Sequence, residues 1–255
     1  MTMPAASWKR IFVEGSAIVV SILLAFAIDA WWQDRQQHDS DLKHLQGVLY
    51  ELRHHKVLLD EAITSHQATL DIGYEFFDLL SPEPTQQEAQ RIAELLDLLS
   101  NFYRINAPFG SLQTATSSGA LARMRDVQLA ADVASWPTTI DDLLEEQDDA
   151  GQFYVFDVFA RLGQRLSLHE VHANRFAYPT GRGTDEIITD VARQDPPANH
   201  LSVDYGILYD DIEVRNSIMN LMTFGQAALG EATLAIKKLD GLIERLEACI
   251  DAGGC

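Results

Sequence analysis

Basic residues are scarce: 19 lysines and arginines stand against 38 aspartates and glutamates, for a formal net charge of −19. Residues 1–32 are neutral, Lys9 and Arg10 offsetting Glu14 and Asp29, so the whole excess falls on residues 33–255. So acidic a surface repels phosphate backbones and anionic lipid heads, and no basic patch interrupts it, which excludes nucleic-acid binding. Cysteine is scarcer still. Two of them rule out a disulfide-dense scaffold and a four-cysteine zinc site. The glycine-rich signatures of nucleotide and acyl chemistry are missing too: there is no Gly-x-x-x-x-Gly-Lys loop, no Gly-x-Ser-x-Gly elbow and no strand-first dinucleotide fingerprint, and Gly181-Arg182-Gly183 is too short to cradle phosphate. Apolar residues are plentiful, at 47% of 255, enough for a sizeable buried core.

The longest apolar run, Ile11 to Trp32, carries charges only near its ends. As a helix it measures about 33 Å, enough to cross a hydrocarbon core of roughly 30 Å. Trp8 before it and Trp31-Trp32 at its close fall about 35 Å apart, at the two headgroup levels where amphipathic aromatics settle. Lys9 and Arg10 precede the span, whereas Asp29 and Asp34 end it, so the positive-inside bias predicts a cytoplasmic N-terminus and an exported acidic bulk. A cleaved signal peptide competes with this reading, its three regions being Lys9-Arg10, the apolar stretch and Ala25-Phe26-Ala27; the length of the span and its tryptophans favour retention. Ala17, Ser21 and Ala25 recur every fourth residue, and small side chains at that spacing let another membrane helix approach closely. Glu14 lies within about a turn of Lys9 and Arg10 and is expected to snorkel toward them.

Beyond the span the apolar period is helical nearly everywhere. Leu42, Leu45, Leu49, Leu52, Lys56, Leu59, Ile63, His66 and Leu70 form a heptad seam with polar interruptions at Lys56 and His66. Pro82 and Pro84 stop that helix, and Thr85-Gln86-Gln87-Glu88 reads as a capping box opening another through Ile92, Leu95, Leu96 and Leu99. Residues 106–119 read as a connector with one short helix. A helix near Asp126–Trp136 follows and, past a break at Pro137, a longer one to about Leu168. Its aromatic run Phe153 to Phe159 is a core contact or, alternatively, a ligand cage. Residues 173–203 carry Pro179, Gly181, Gly183, Pro196 and Pro197 and read as a long irregular loop. From Ile218 to Ile250 the apolar steps again alternate four and three, with Leu221, Ala228, Ala235, Leu242 and Cys249 as a second column. So wide a stripe predicts a helix sandwiched among others, its natural mate being the first helix after the membrane.

The expected fold is all-α: one N-terminal transmembrane helix followed by an elongated antiparallel helical bundle with coiled-coil-like packing. Residues 1–10 would be cytoplasmic, 11–32 transmembrane and 33–255 a periplasmic domain.

Asp29-Ala30-Trp31-Trp32-Gln33-Asp34-Arg35, then Glu51-Leu52, Ser117-Ser118-Gly119-Ala120-Leu121 and Asp204-Tyr205-Gly206-Ile207-Leu208-Tyr209-Asp210-Asp211 carry a resemblance. The chain resembles a broad bacterial group of uncharacterised membrane-anchored helical proteins whose hydrophobic segment closes on an acidic or amide residue and a Trp. The resemblance implies an inner-membrane anchor with a helical periplasmic domain and brings no catalytic residues.

The search for chemistry yields little. His169-Glu170-Val171-His172 misses the His-Glu-x-x-His spacing of a metalloprotease by one residue. His44, His55 and His66 recur every eleven residues, about 16 Å apart on a helix, too distant to share a metal, and are expected to be solvated. The paired acids Asp141-Asp142, Glu145-Glu146 and Asp148-Asp149 read as one solvated helix face. Cys249 and Cys255 flank Ile-Asp-Ala-Gly-Gly and could close a small disulfide loop in an oxidising compartment, free thiols being the alternative. No catalytic residue, cofactor or metal site is assigned. The functional expectation is an accessory or scaffolding subunit of a larger inner-membrane assembly, respiratory or photosynthetic, with the bilayer and other integral membrane proteins as its partners. The alternatives are a periplasmic ligand-binding module signalling through a partner, with a small-molecule ligand, and a hydrolase using His169 and His172.

Overall fold

A computed structural model describes the backbone of residues 8–100, 103–168 and 204–253 and, except at 8–11 and 13, their side chains. Every regular element among them is helical. Residues 173–203, His169, His172 and Cys255 lie outside the described residues, so the irregular loop and the histidine pair expected there are not addressed.

The first helix, α1, runs from Trp8 to Leu79 without a break. The sequence suggests a membrane helix and a separate successor; the structure joins them. Residues 33–41 are highly polar, yet they contain no Gly or Pro. They are stitched along the helix by four-residue steps: Gln33 to Asp29 at 2.8 Å, Arg35 to Asp39 at 3.8 Å and Gln37 to Asp41 at 2.9 Å.

Two compact units follow. The first comprises the described residues up to Glu51, Phe109–Ala134, and the chain from Leu242 on; the second comprises Leu52–Pro108 and Ser135–Gly241.

In the first unit, α3 (Gly110–Ser117) begins at Phe109, which offers no side-chain cap. Glu51, buried on α1, replaces one: its carboxylate accepts the free amides of Ser111 and Leu112 at 2.7 and 3.0 Å, at the positive end of the helix. Gly119 ends α3 in the left-handed region, φ +76°, where a side chain would be strained, and its amide bonds Thr116 O at 3.1 Å. Arg123, in the 3₁₀ turn Leu121–Arg123, lies over that glycine, donates to Ser118 O and grips Asp41 of α1 with two bonds of 2.8 and 2.7 Å. The guanidinium holds the Asp41 carboxyl below its ordinary value. Ser117-Ser118-Gly119-Ala120-Leu121 is thus a helix terminator that aims an arginine. In α4 (Val127–Ala134), Asp126 caps the amide of Leu129 at 2.8 Å and Arg245 bonds Asp132 at 2.7 Å.

In the second unit, α2 (Gln86–Leu98) opens with the capping box expected at Thr85 and Glu88, and Arg91 forks onto Glu75 of α1 at 2.6 and 2.8 Å. α5 (Trp136–Phe153) starts one residue before Pro137 rather than after it, because a proline in the first turn lacks only an amide that has no partner there. A π turn, Tyr154–Val158, then leads into α6 (Phe159–Arg165). The extra residue re-phases the helix, so that Ala150, Tyr154, Val158 and Leu162 all stay buried at steps of four. The aromatic run is therefore split: Tyr154 and Val158 enter the core with Phe76, Ile92, Leu96 and Ile218, Phe153 meets Phe224 at 5.2 Å between ring centres, and Phe156 remains 78% exposed. The acidic pairs of α5 face solvent or, for Asp148, Arg104.

The turn α7 (Ile207–Asp210) precedes α8 (Ile212–Asp251), which Asp211 caps through the amides of Glu213 and Val214. Within the second unit α8 runs antiparallel to α1: Lys56 pairs with Asp240, Gly225 faces Leu70, and Gly73 faces Met222. The buried stripe of α8 passes through Ile218, Leu221, Gly225, Ala228, Ala232, Ala235, Leu239, Leu242, Leu246 and Cys249, five from each of the two columns read from sequence, while Leu229, Ile236, Ile243 and Ile250 of the first are only half-buried.

Gly206 has an ordinary φ of −58° but no room: an added Cβ would lie 2.3 Å from the carbonyl oxygen of Pro82. Backbone cannot yield as a side chain can. Gly206→Ala is expected to destabilise the second unit by about 2 kcal/mol, within the range of overpacking, read as a lowered urea midpoint. An unchanged midpoint would refute this close approach.

Candidate functional site

Every described side chain from Glu14 to Trp32 is exposed, among them Leu23 at 62%, Phe26 at 67% and Trp32 at 61%. A helix beside a soluble core buries one stripe; one that is apolar all round needs an apolar surrounding. This part of α1 is long and apolar enough to cross a membrane. Ala17, Ser21 and Ala25 share an exposed row, and the Ser21 hydroxyl donates to Ala17 O at 2.8 Å, so the row presents no unsatisfied polar group. Trp31 and Trp32 stand together at the end, their ring centres 6.4 Å apart. Trp8 begins α1, but its side chain, like those of Lys9 and Arg10, lies outside the description, so the expected reach of Glu14 toward those cations is not addressed.

Of the three histidines expected to be solvated, His44 is half-buried and the other two are buried. His55 and His66 are 1% and 8% exposed, and the buried seam of α1 turns through His55 and Ala62, leaving Lys56 and Ile63 at its margin. The reason is that both rings are bonded in full view of the connector 103–109. Trp136 Nε1–H donates to His55 Nδ1 at 2.9 Å, so the ring proton sits on Nε2, 2.7 Å from the carbonyl oxygen of Pro108. The amide of Ile105 donates to Gln147 Oε1 at 2.9 Å, which leaves Gln147 Nε2 to donate to His66 Nε2, also at 2.9 Å. Both imidazoles are therefore neutral and of defined tautomer. Tyr103 donates to Glu61 at 2.8 Å and Arg104 to Asp148 at 2.6 Å, so α1 and α5 hold the connector from both sides. Sequence reasoning missed Gln147 and Trp136 as partners, because a polar residue on an apolar stripe shows only as an interruption.

Burial pushes the His66 imidazole below its ordinary value. The folded state thus resists a proton that the unfolded chain accepts near pH 6.5. Stability from this group is full above that pH and declines below it, by up to about 1.4 kcal/mol per pH unit until the folded ring itself titrates. Between pH 7.5 and 5.5 the wild type is expected to lose more stability than His66→Gln, whose amide oxygen still accepts from Gln147; parallel curves would remove His66 from the account.

Among the described residues no three His, Cys, Asp or Glu side chains converge as a metal site requires. Cys249 is buried and disulfide-bonded. In the first unit a cavity of about 630 Å³ opens beside Asp34, His38, Asp41, Leu45, Arg123 and Arg125. No protein family, curated protein or solved structure matches the chain.

Proposed function

We propose that the protein is a single-pass inner-membrane protein that serves as a non-catalytic accessory or scaffolding subunit of a larger assembly, of which respiratory and photosynthetic complexes are examples. The observation that carries this reading is the apolar part of α1, exposed on every side and continuous with the helix that both folded units share. Lys9 and Arg10 put the N-terminus in the cytoplasm; the acidic remainder is periplasmic, an antiparallel bundle with coiled-coil-like seams on α1 and α8 and a terminal disulfide between Cys249 and Cys255. Ala17, Ser21 and Ala25 are the face offered to a neighbouring membrane helix, where close packing replaces the hydrophobic effect.

A photo-crosslinking residue at Ser21, activated in native membranes, is expected to capture a second integral membrane protein, whereas one at Leu24, off the small-residue row, captures mainly lipid. A crosslinked product that never exceeds the monomer mass would defeat the scaffolding role.

A further inference from the structure

The cavity of the first unit lies where the membrane helix emerges. Its lining on α1 starts at Asp34, two residues after Trp32, and continues through Gln37, His38 and Asp41 to Leu45, so it extends from about 3 Å to about 20 Å beyond the tryptophans along the helix axis. With Trp31 and Trp32 at the interface, the lower rim falls inside the headgroup layer, which extends roughly 5–8 Å from the hydrocarbon. Leu42, Leu45 and Met124 give the lining its apolar part.

The charges are not randomly placed. Asp41 and Arg123 neutralise one another through two bonds. Asp34 and Arg125 line the same cavity, and neither makes a side-chain hydrogen bond or ion pair among the described residues, with each other or with any third group. Arg125 is the one arginine with a described side chain of which this is true, in a chain where acids outnumber bases two to one. Arg125 is exposed at the cavity, so its guanidinium is available to an anion from elsewhere. The end of α8 reaches the same cavity through Ala252 and Gly253, adding a carbonyl pole that favours a cation. A pocket lined by one open negative group, one open positive group and a mutually neutralised pair suits a zwitterion rather than an anion.

We infer that this cavity binds a phosphoethanolamine group, its phosphate on Arg125 and its ammonium on Asp34, presented either by an ethanolamine phospholipid or by a soluble phosphoethanolamine ester. The lipid source rests on the membrane reading above; the chemistry of the pocket does not. A choline headgroup carries the same charges but no N–H to donate to Asp34, so the site discriminates between the two.

The full chain is reconstituted into nanodiscs of phosphatidylcholine with or without phosphatidylethanolamine, and the lipid retained on release is read by native mass spectrometry. One ethanolamine lipid per chain is expected, with retention falling about tenfold in Arg125→Ala and in Asp34→Asn, the loss of one charge-assisted hydrogen bond. Soluble phosphoethanolamine is added separately to protein in detergent and its effect on the melting temperature measured; stabilisation that both variants lose supports a soluble source. Equal retention of the two lipids together with no response to the soluble ester overturns the site. Carbonate extraction of the same vesicles is the check on the anchor: protein released into the supernatant defeats the membrane reading, while the soluble arm still decides the pocket.

Discussion

Replacing His55 by alanine is expected to remove about 4 kcal/mol, a large share of the roughly 5–15 kcal/mol that holds a domain together. The substitution strands two groups at once. Trp136 Nε1–H loses its acceptor and the Pro108 carbonyl loses its donor, both against a ring that is 1% exposed. The buried indole N–H left without an acceptor costs about 1–3 kcal/mol, the exposed Pro108 carbonyl less because water can replace its donor, and the vacated ring volume adds a cavity term. His54 is adjacent in sequence but exposed, so His54→Ala is expected to stay within about 0.5 kcal/mol of the wild type. Trp136→Phe should cost about 2 kcal/mol, since it leaves only His55 Nδ1 unfilled and removes a smaller volume. Combined with His55→Ala it should cost less than the sum, because the two share one bond. Urea midpoints of the full chain in mild detergent measure all four. If His55→Ala were as benign as His54→Ala, the buried bond between ring and indole would not exist in solution.

Which features were legible in advance follows from how local their causes are. The capping box at Thr85 and Glu88 and the stop at Pro82 and Pro84 are written into four or five consecutive residues, and the structure contains both. The helical fold class and the long C-terminal helix follow from apolar period alone. The centre of that helix's stripe was harder to place. Ala228 and Ala235 look weak beside Leu229 and Ile236, yet they lie innermost, because small residues admit closer approach. The merger of the apolar N-terminal stretch with the helix that follows it was signalled only by absence of a breaker and by pairs such as Arg35 with Asp39. Glu51, His55 and His66 were beyond local reading, since each is buried by virtue of a partner some 60 to 80 residues away: the amides of Ser111 and Leu112, Trp136, and Gln147. The exposed cavity charges Asp34 and Arg125 leave no trace in periodicity; they stand out only once every other arginine with a described side chain has a partner.

Two charges placed in the middle of the apolar stretch should have the largest effect of any change here. Val20 and Leu23 are 62% exposed, and neither touches the folded units' cores, so Val20→Arg with Leu23→Arg leaves those cores intact. On the insertion scale each arginine near the centre of a span costs about 2.5–3.5 kcal/mol and forfeits the few tenths contributed by the residue it replaces, roughly 6–7 kcal/mol for the pair. That exceeds what 18 to 20 apolar residues can spare, and snorkelling does not rescue side chains so far from either interface. The doubly substituted protein is expected in the carbonate-soluble fraction with the helical circular dichroism of its folded units preserved. A control with both arginines at Gln36 and Gln37, past the tryptophans, should remain in the membrane pellet. Retention of the double variant with the pellet, or loss of the control, would show that something other than the apolar stretch of α1 holds the chain to the bilayer, and the scaffolding role and the lipid source of the headgroup site would both fall with it.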